Sequence, residues 1–175
     1  MNKKIAYIDL DDFSEQNTRL DWLWMLKKEF TNFKVNLFAI PDNCSVNFLE
    51  YIQSLDWIQL CVHGKKHINN EEIDSNQLHA FKTDFTAVYR APYWQLSDTM
   101  YERLKKLDYK IMLHPDDPRN GIKFNWNIKD SPPNLDILYA HGHIQDYPIG
   151  LKGNGIMQAI DNILKLPKET EFKFL

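Results

Sequence analysis

The sequence predicts an α/β fold, a mostly parallel sheet or barrel with both faces covered. Three observations carry that expectation. Short apolar runs rich in strand-forming residues alternate along the chain with stretches of helical period. No internal repeat, low-complexity tract or flexible linker interrupts the alternation. Residues able to do chemistry recur directly after the apolar runs, where the loops of parallel folds converge on one rim.

Taken in order, Ile5–Leu10 reads as the first strand. Leu20, Leu23, Leu26, Phe30 and Phe33 recur at helical spacing, so Thr18–Phe33 reads as a helix with Asn17 or Thr18 at its cap. Val35–Ile40 is a second strand, stopped by Pro41-Asp42-Asn43, and Ser45 is placed to cap a helix over Val46–Leu55. Ile58–Val62 is a third strand and delivers His63. A helix is expected over Asn76–Lys82 and a brief strand over Ala87–Tyr89. Ser97 caps a helix over Asp98–Leu107, and Lys110–Leu113 is the next strand. His114–Asn134, rich in Pro, Asp and Asn, is expected to be irregular. Ile137–Ala140 is a strand ending at His141, Gly155–Leu164 a helix, and Glu171–Leu175 a final strand.

A chain of 175 residues is long enough for one domain that buries about two-thirds of its unfolded surface. Its 43% apolar and 26% charged composition is that of an ordinary globular domain. A formal charge of −3 supplies no basic footprint, so no nucleic-acid partner is expected. Cys44 and Cys61 are too few for a disulfide scaffold. No segment approaches the ~20 apolar residues of a membrane span. Lys3-Lys4 precede only Ile5–Ile8 before Asp9 interrupts, whereas a signal peptide needs an apolar core of ~7–15 residues. The chain therefore reads as cytoplasmic. Its oligomeric state is not legible.

The chemistry-bearing residues form four groups. His63 and His67 stand four apart after the third strand, a spacing that puts two imidazoles on one face of a helical turn. Gly64 frees the backbone to turn there. Asp11-Asp12 follows the first strand; one carboxylate could bind a metal while the other stays free as a base. Arg90-Ala91-Pro92-Tyr93-Trp94 joins a guanidinium suited to holding a carboxylate with two aromatics suited to stacking on a sugar ring. His141-Gly142-His143 follows the late strand, and a histidine there suits general acid work. Each group also has a plainer reading: exposed loop histidines, an acidic capping turn before Ser14, Asn17 and Thr18, and core aromatics. His79 and His114 have no comparable context.

In this order the segments resemble the polysaccharide deacetylases, the NodB-like fold of carbohydrate esterase family 4. Leu10-Asp11-Asp12-Phe13 is similar to that family's Phe-Asp-Asp-Gly element. His63-Gly64-Lys65-Lys66-His67 is similar to its His-Ser/Thr-x-x-His element, and Arg90-Ala91-Pro92-Tyr93 to its Arg-x-Pro-Tyr/Trp element. Tyr139-Ala140-His141 looks like its late Leu-x-His element. The resemblance implies a single-domain, distorted (β/α) barrel of about seven strands over residues 1–175. It also implies a metal-dependent hydrolase removing N-acetyl or O-acetyl groups from an acetylated sugar or glycan. By position, Asp12, His63 and His67 would hold a divalent metal, usually zinc, with cobalt, nickel or manganese as alternates. Asp11 would be the base toward a metal-activated water, Arg90 would orient it, and the backbone N–H of Tyr93 would help bind the oxyanion. His141 would protonate the departing amine. Tyr139 stands where the family lines its acetyl pocket, and Trp94 and His143 stand beside the same rim.

The chain departs from the pattern at four places. Phe13 replaces Gly, Gly64 replaces Ser or Thr, and Tyr139 replaces Leu. The Asp-Trp element that supports the acid histidine has only Asp116 or Asp117 as candidates, and His143 competes with His141 for the acid's role. Two other readings therefore stand beside the deacetylase. One is a NodB-like carbohydrate-binding relative without turnover. The other is a different metal-dependent chemistry, such as the two-histidine, one-carboxylate iron site of oxygenases, which would need a jelly roll.

Overall fold

The computed structural model describes residues 4–145 and 155–175. In chain order the elements are β1 (Ile5–Phe13), α1 (Leu20–Glu29), β2 (Val35–Ala39), α2 (Val46–Gln53), β3 (Ile58–Val62), α3 (Ser75–Phe81) and β4 (Val88–Arg90). There follow α4 (Asp98–Lys106), β5 (Lys110–Leu113), β6 (Ile122–Lys123), β7 (Trp126–Asn127), β8 (Ile137–His143), α5 (Gly155–Ile163) and β9 (Glu171–Phe172).

Every pairing between these strands is parallel. The order across the sheet is β6-β5-β4-β3-β2-β1-β8-β7, with β9 added to β1. Only Phe124 and Asn125 separate β6 from β7, so the sheet curls until its two ends meet through the chain itself. The result is the distorted (β/α) barrel that the sequence predicts. The strand count differs. Two-residue β6 and β7 lie inside the stretch expected to be irregular, because pairs that short carry no period.

Parity explains the two interiors. One face of the strands packs against the helices, where Ile8, Leu10, Leu37, Leu60 and Leu138 join the main core. The other face points into the barrel, where Phe38, Cys61, Val88 and Met112 form a separate apolar cluster. Asp9 and Asp11 share that inward face on β1, as residues two apart on a strand must. The register sets Asp9 opposite Asn36 on one side and opposite His141 on the other, and Asn36 opposite Gln59. A polar row thus crosses the barrel below the rim.

The helices start where the capping residues place them. Ser45 Oγ accepts from Phe48 N at 3.3 Å, Asp74 Oδ1 from Gln77 N at 2.9 Å and Ser97 Oγ from Met100 N at 3.0 Å, each bond worth about 1 kcal/mol. The first helix is the exception. It spans Leu20–Glu29, not Thr18–Phe33, and follows Arg19 at φ 40° with no side-chain cap. Asn17 is used elsewhere: its Nδ2 donates to the Asp12 carbonyl at 3.2 Å. Phe30 and Phe33 leave the helix yet stay buried against Phe172, so apolar spacing alone overstated the helix. No helix among the described residues is long and apolar enough to cross a membrane.

Candidate metal and catalytic site

The first strand does not end at Leu10. It runs to Phe13 through a bulge: Leu10 pairs with Leu37 and Phe13 with Ala39, three steps against two. Asp12 takes up the extra residue at φ 65°. The bulge lets adjacent carboxylates both reach the rim, which a regular strand forbids. Phe13 then turns into the core, fully buried and stacked on Phe48 at 5.5 Å, so a large apolar residue is suited to that position.

Asp12, His63 and His67 each offer an atom to a cluster spanning no more than 4.8 Å. Asp12 Oδ1 lies 2.8 Å from His67 Nε2 and 3.5 Å from His63 Nε2. Bonds of ~2.1 Å at the tetrahedral angle would set ligand atoms about 3.4 Å apart. His63 Nδ1 faces the Arg90 carbonyl oxygen at 3.1 Å. Donation of Nδ1–H to that carbonyl fixes the ring and leaves the Nε2 lone pair directed at Asp12. Asp12 Oδ1 is buried and accepts no hydrogen bond in line. An orphaned carboxylate oxygen beside two imidazole nitrogens fits a divalent cation. Burial alone would raise the Asp12 carboxyl, but His63 and His67 hold it well below the usual range. His67 is correspondingly raised by its contact with Asp12.

Asp11 has a different environment. Arg90 Nη1 donates to its Oδ1 at 2.5 Å, and Arg90 Nη2 donates to Asp9 Oδ2 at 2.8 Å. All three side chains are buried, and Arg90 is fully so. The guanidinium lies over the rings of Phe38 at 4.0 Å and Trp94 at 5.0 Å. Burial opposes the Asp11 charge, yet Arg90 prevails and holds the carboxyl at about 2. Asp9 is the contrary case. Burial outweighs Arg90 and Asn36 and lifts it to about 7. Asp9 was not among the sequence candidates, although a lone charge two residues before Asp11, on the same strand face, was the available signal.

His141 Nδ1 lies 3.3 Å from Arg90 Nη1 and 3.7 Å from Asp11 Oδ2. Its ring is enclosed by Trp94 and Phe124, with centroids at 4.9 and 5.1 Å. Burial presses its pKa down to about 3, against the pull of Asp11. Neither Asp116 nor Asp117 pairs with it. Asp116 pairs with His114 and Asp117 with Arg119, so the support expected from those two residues is absent. His143 stands one strand step higher, more exposed, with Nε2 4.0 Å from Asp12 Oδ2. Asp11, His141 and His143 form a second group within 4.8 Å. The Arg90 guanidinium presses against two of its members, so a second cation there is disfavoured.

A cleft of about 360 Å³ is lined by Asp11, Asp12, His63 and His67, together with Tyr93, Trp94 and His143. Tyr139 lies outside this lining and stacks on Tyr7 at 4.7 Å. A larger depression of about 440 Å³ around Gln53, Gln59, Lys82 and Phe174 has one carboxylate, Asp84, and no histidine in its lining. The cleft also collects backbone strain. Asp12, His67, Tyr93 and Trp94 all have φ between 54° and 65°, a region costing side-chain-bearing residues of order 1–3 kcal/mol each.

No family model and no curated protein matches the chain. Solved structures do. A family 4 acetyl xylan esterase from Clostridium thermocellum, in complex with a cobalt ion, is 14% identical with a TM-score of 0.62, over 98% of this chain and 87% of its own. The chitin deacetylase of Colletotrichum lindemuthianum is 14% identical with a TM-score of 0.63, over 97% and 84%. A family 4 pseudoenzyme from Bacillus anthracis is 10% identical with a TM-score of 0.61, over 93% of this chain and 59% of its own. The likeness is one of fold: this is the NodB-like barrel of family 4 carbohydrate esterases, as the sequence motifs led us to expect.

Proposed function

We propose that residues 1–175 form one catalytic domain, a metal-dependent deacetylase acting on an acetylated sugar or glycan. The observation that carries the reading is the division of labour between adjacent carboxylates. Asp12 turns to His63 and His67, while Asp11 is held by Arg90 beside the same cleft. Asp12, His63 and His67 would hold the cation, zinc first and cobalt, nickel or manganese as alternates. When bound, the cation supplies Lewis acidity toward the acetyl carbonyl and the attacking water.

The chain's own residues do the rest. Asp11, kept ionised and fixed in orientation by Arg90, takes the proton from water. The Tyr93 N–H helps bind the developing oxyanion. His141, neutral at rest because burial presses its pKa to about 3, would take the water's proton on from Asp11 before delivering it to the departing amine. Trp94, Tyr93 and His143 line the path along which a sugar ring would lie. The test is metal analysis of the purified protein followed by assay of acetate release from N-acetylglucosamine compounds. No acetate released by metal-loaded protein across a broad acetylated panel would refute the proposal.

A second reading has one specific observation in its favour. Among the described residues His141 has no carboxylate of its own to orient it and shares Asp11 and Arg90 instead. That would suit a sugar-binding relative without turnover, comparable in fold to the Bacillus anthracis pseudoenzyme. It predicts sugar binding that Asp11→Asn leaves unchanged and no product. The parallel sheet removes the ground for the oxygenase reading, which required a jelly roll.

A further inference from the structure

Glu71 is a buried carboxylate that none of the roles above uses. It follows the His63–His67 segment and reaches back into it. Its Oε2 accepts from Lys65 N at 2.8 Å and its Oε1 from Lys66 N at 2.8 Å. Those two amides are the middle of the turn that separates the histidines. The turn contains two residues in the left-handed region, Gly64 at φ 68° and His67 at φ 60°. His67 carries a Cβ, so that conformation is costly and is held by its surroundings. A carboxylate gripping two consecutive amides is one such restraint, because both hydrogen bonds are charge-assisted.

Gly64 is the other half of the device. A Cβ at that position would lie 2.4 Å from Glu71 Oε2 and 2.7 Å from Pro92 Cγ. Only glycine combines the positive φ with room for the carboxylate. This gives a physical reason for glycine where the related pattern has Ser or Thr. The turn is tied on its far side as well, since the Lys65 carbonyl accepts from Asp42 N at 3.1 Å.

We propose that Glu71 is a positioning residue of the cation site, one that fixes the His63–His67 turn so that His67 Nε2 meets Asp12 Oδ1. The inference rests on the cation-binding reading above. Glu71 acts through the backbone and does not touch the ion. Positioning groups of this kind change metal affinity by about 10–100-fold when removed.

The experiment titrates the metal-free protein with Zn²⁺ and with Co²⁺, following binding and the visible cobalt bands. Glu71→Ala and Glu71→Gln should each bind at least tenfold more weakly and show altered cobalt bands, because His67 no longer has a fixed place. Glutamine keeps one acceptor but sets an amide against the second N–H, so it falls between wild type and alanine. Glu72→Gln, at an exposed carboxylate paired with Arg103, should bind as wild type. Circular dichroism and thermal melts of the metal-free variants confirm folding, and if Glu71→Ala does not fold, Glu71→Gln alone decides. Wild-type affinity and cobalt bands in a folded Glu71 variant would overturn the role of Glu71 and leave the cation site standing. A wild-type protein that binds neither ion would overturn both.

Discussion

Asp9 and Asp11, two residues apart on β1, accept hydrogen bonds from the two ends of one buried guanidinium. Arg90 is therefore the counter-charge of both. A planar fork can serve two carboxylates at once, and a lysine ammonium cannot do so in the same geometry. Arg90→Met should cost about 3–5 kcal/mol at neutral pH, since it strands buried carboxylates without a partner. Urea unfolding measures it, and Arg90→Lys should recover only part of the loss. A stability change under 1 kcal/mol for the methionine variant would show that water or another cation replaces the guanidinium.

Two buried groups make the stability of the metal-free protein depend on pH in opposite directions. His141 has its pKa pressed to about 3 by burial, so between there and its unfolded value of ~6.5 only the unfolded chain carries the proton. Its contribution to stability is present above ~6.5 and is lost as pH falls toward 3. Asp9 is lifted to about 7 by burial, so the folded chain binds the extra proton. Its contribution is present below ~3.8 and is lost as pH rises to about 7. Asp9→Asn should therefore make stability climb more steeply with pH between 4 and 7, and His141→Phe should make it climb less. Denaturation midpoints across that range read both slopes, and equal slopes in all three proteins would refute the assignment.

Gly142 sits between the two late histidines. A Cβ there would lie 2.3 Å from Ile128 Cγ2, so Gly142→Ala must push β8 away from the loop that covers it. We expect a loss of about 1–3 kcal/mol from overpacking, with both histidines displaced. Ile128→Ala in the same chain should recover part of it, because it removes the clashing methyl. A double-mutant cycle measures this coupling, and additive losses would mean that the strand relaxes freely.

The outline of the site was legible because strand ends are marked in the sequence and parallel folds gather them on one rim. His63, Arg90 and His141 all follow or finish short apolar runs; the structure sets His63 in the wall of the cleft and buries Arg90 and His141 behind it, against Asp11. Three features were not legible. The bulge at Asp12 has no local signature, since nothing in Asp11-Asp12-Phe13 announces an extra residue. Glu71 acts on backbone amides, and such bonds leave no pattern of residue types. The pairing of Asp9 with Arg90 joins residues 81 positions apart, and only the strand register reveals it. The overlong first helix failed for a related reason: Phe30 and Phe33 satisfy a helical spacing but are buried from the turn that follows the helix.

The two carboxylates of the bulge should separate cleanly by mutation. His67→Ala removes an imidazole whose Nε2 stands 2.8 Å from Asp12 Oδ1, and the variant should fail to retain metal through gel filtration. Asp11→Ala removes none of the three proposed ligands, although Asp11 Oδ2 lies 3.8 Å from His63 Nε2, so it should keep the metal while acetate release falls by about 10²–10⁴-fold, the usual worth of a positioned base. Asp11 is also one of the two acceptors of Arg90, so the alanine variant frees one guanidinium arm that Asp9 cannot take up. Asp11→Asn preserves an acceptor for that arm and separates loss of the base from loss of packing. If Asp11→Asn remains as active as wild type, the base is another group, and His143, the more exposed histidine of the cleft, is the next to replace. If both His67→Ala and Asp11→Ala retain metal at wild-type occupancy, the ligand set is wrong and the division between neighbouring aspartates does not exist.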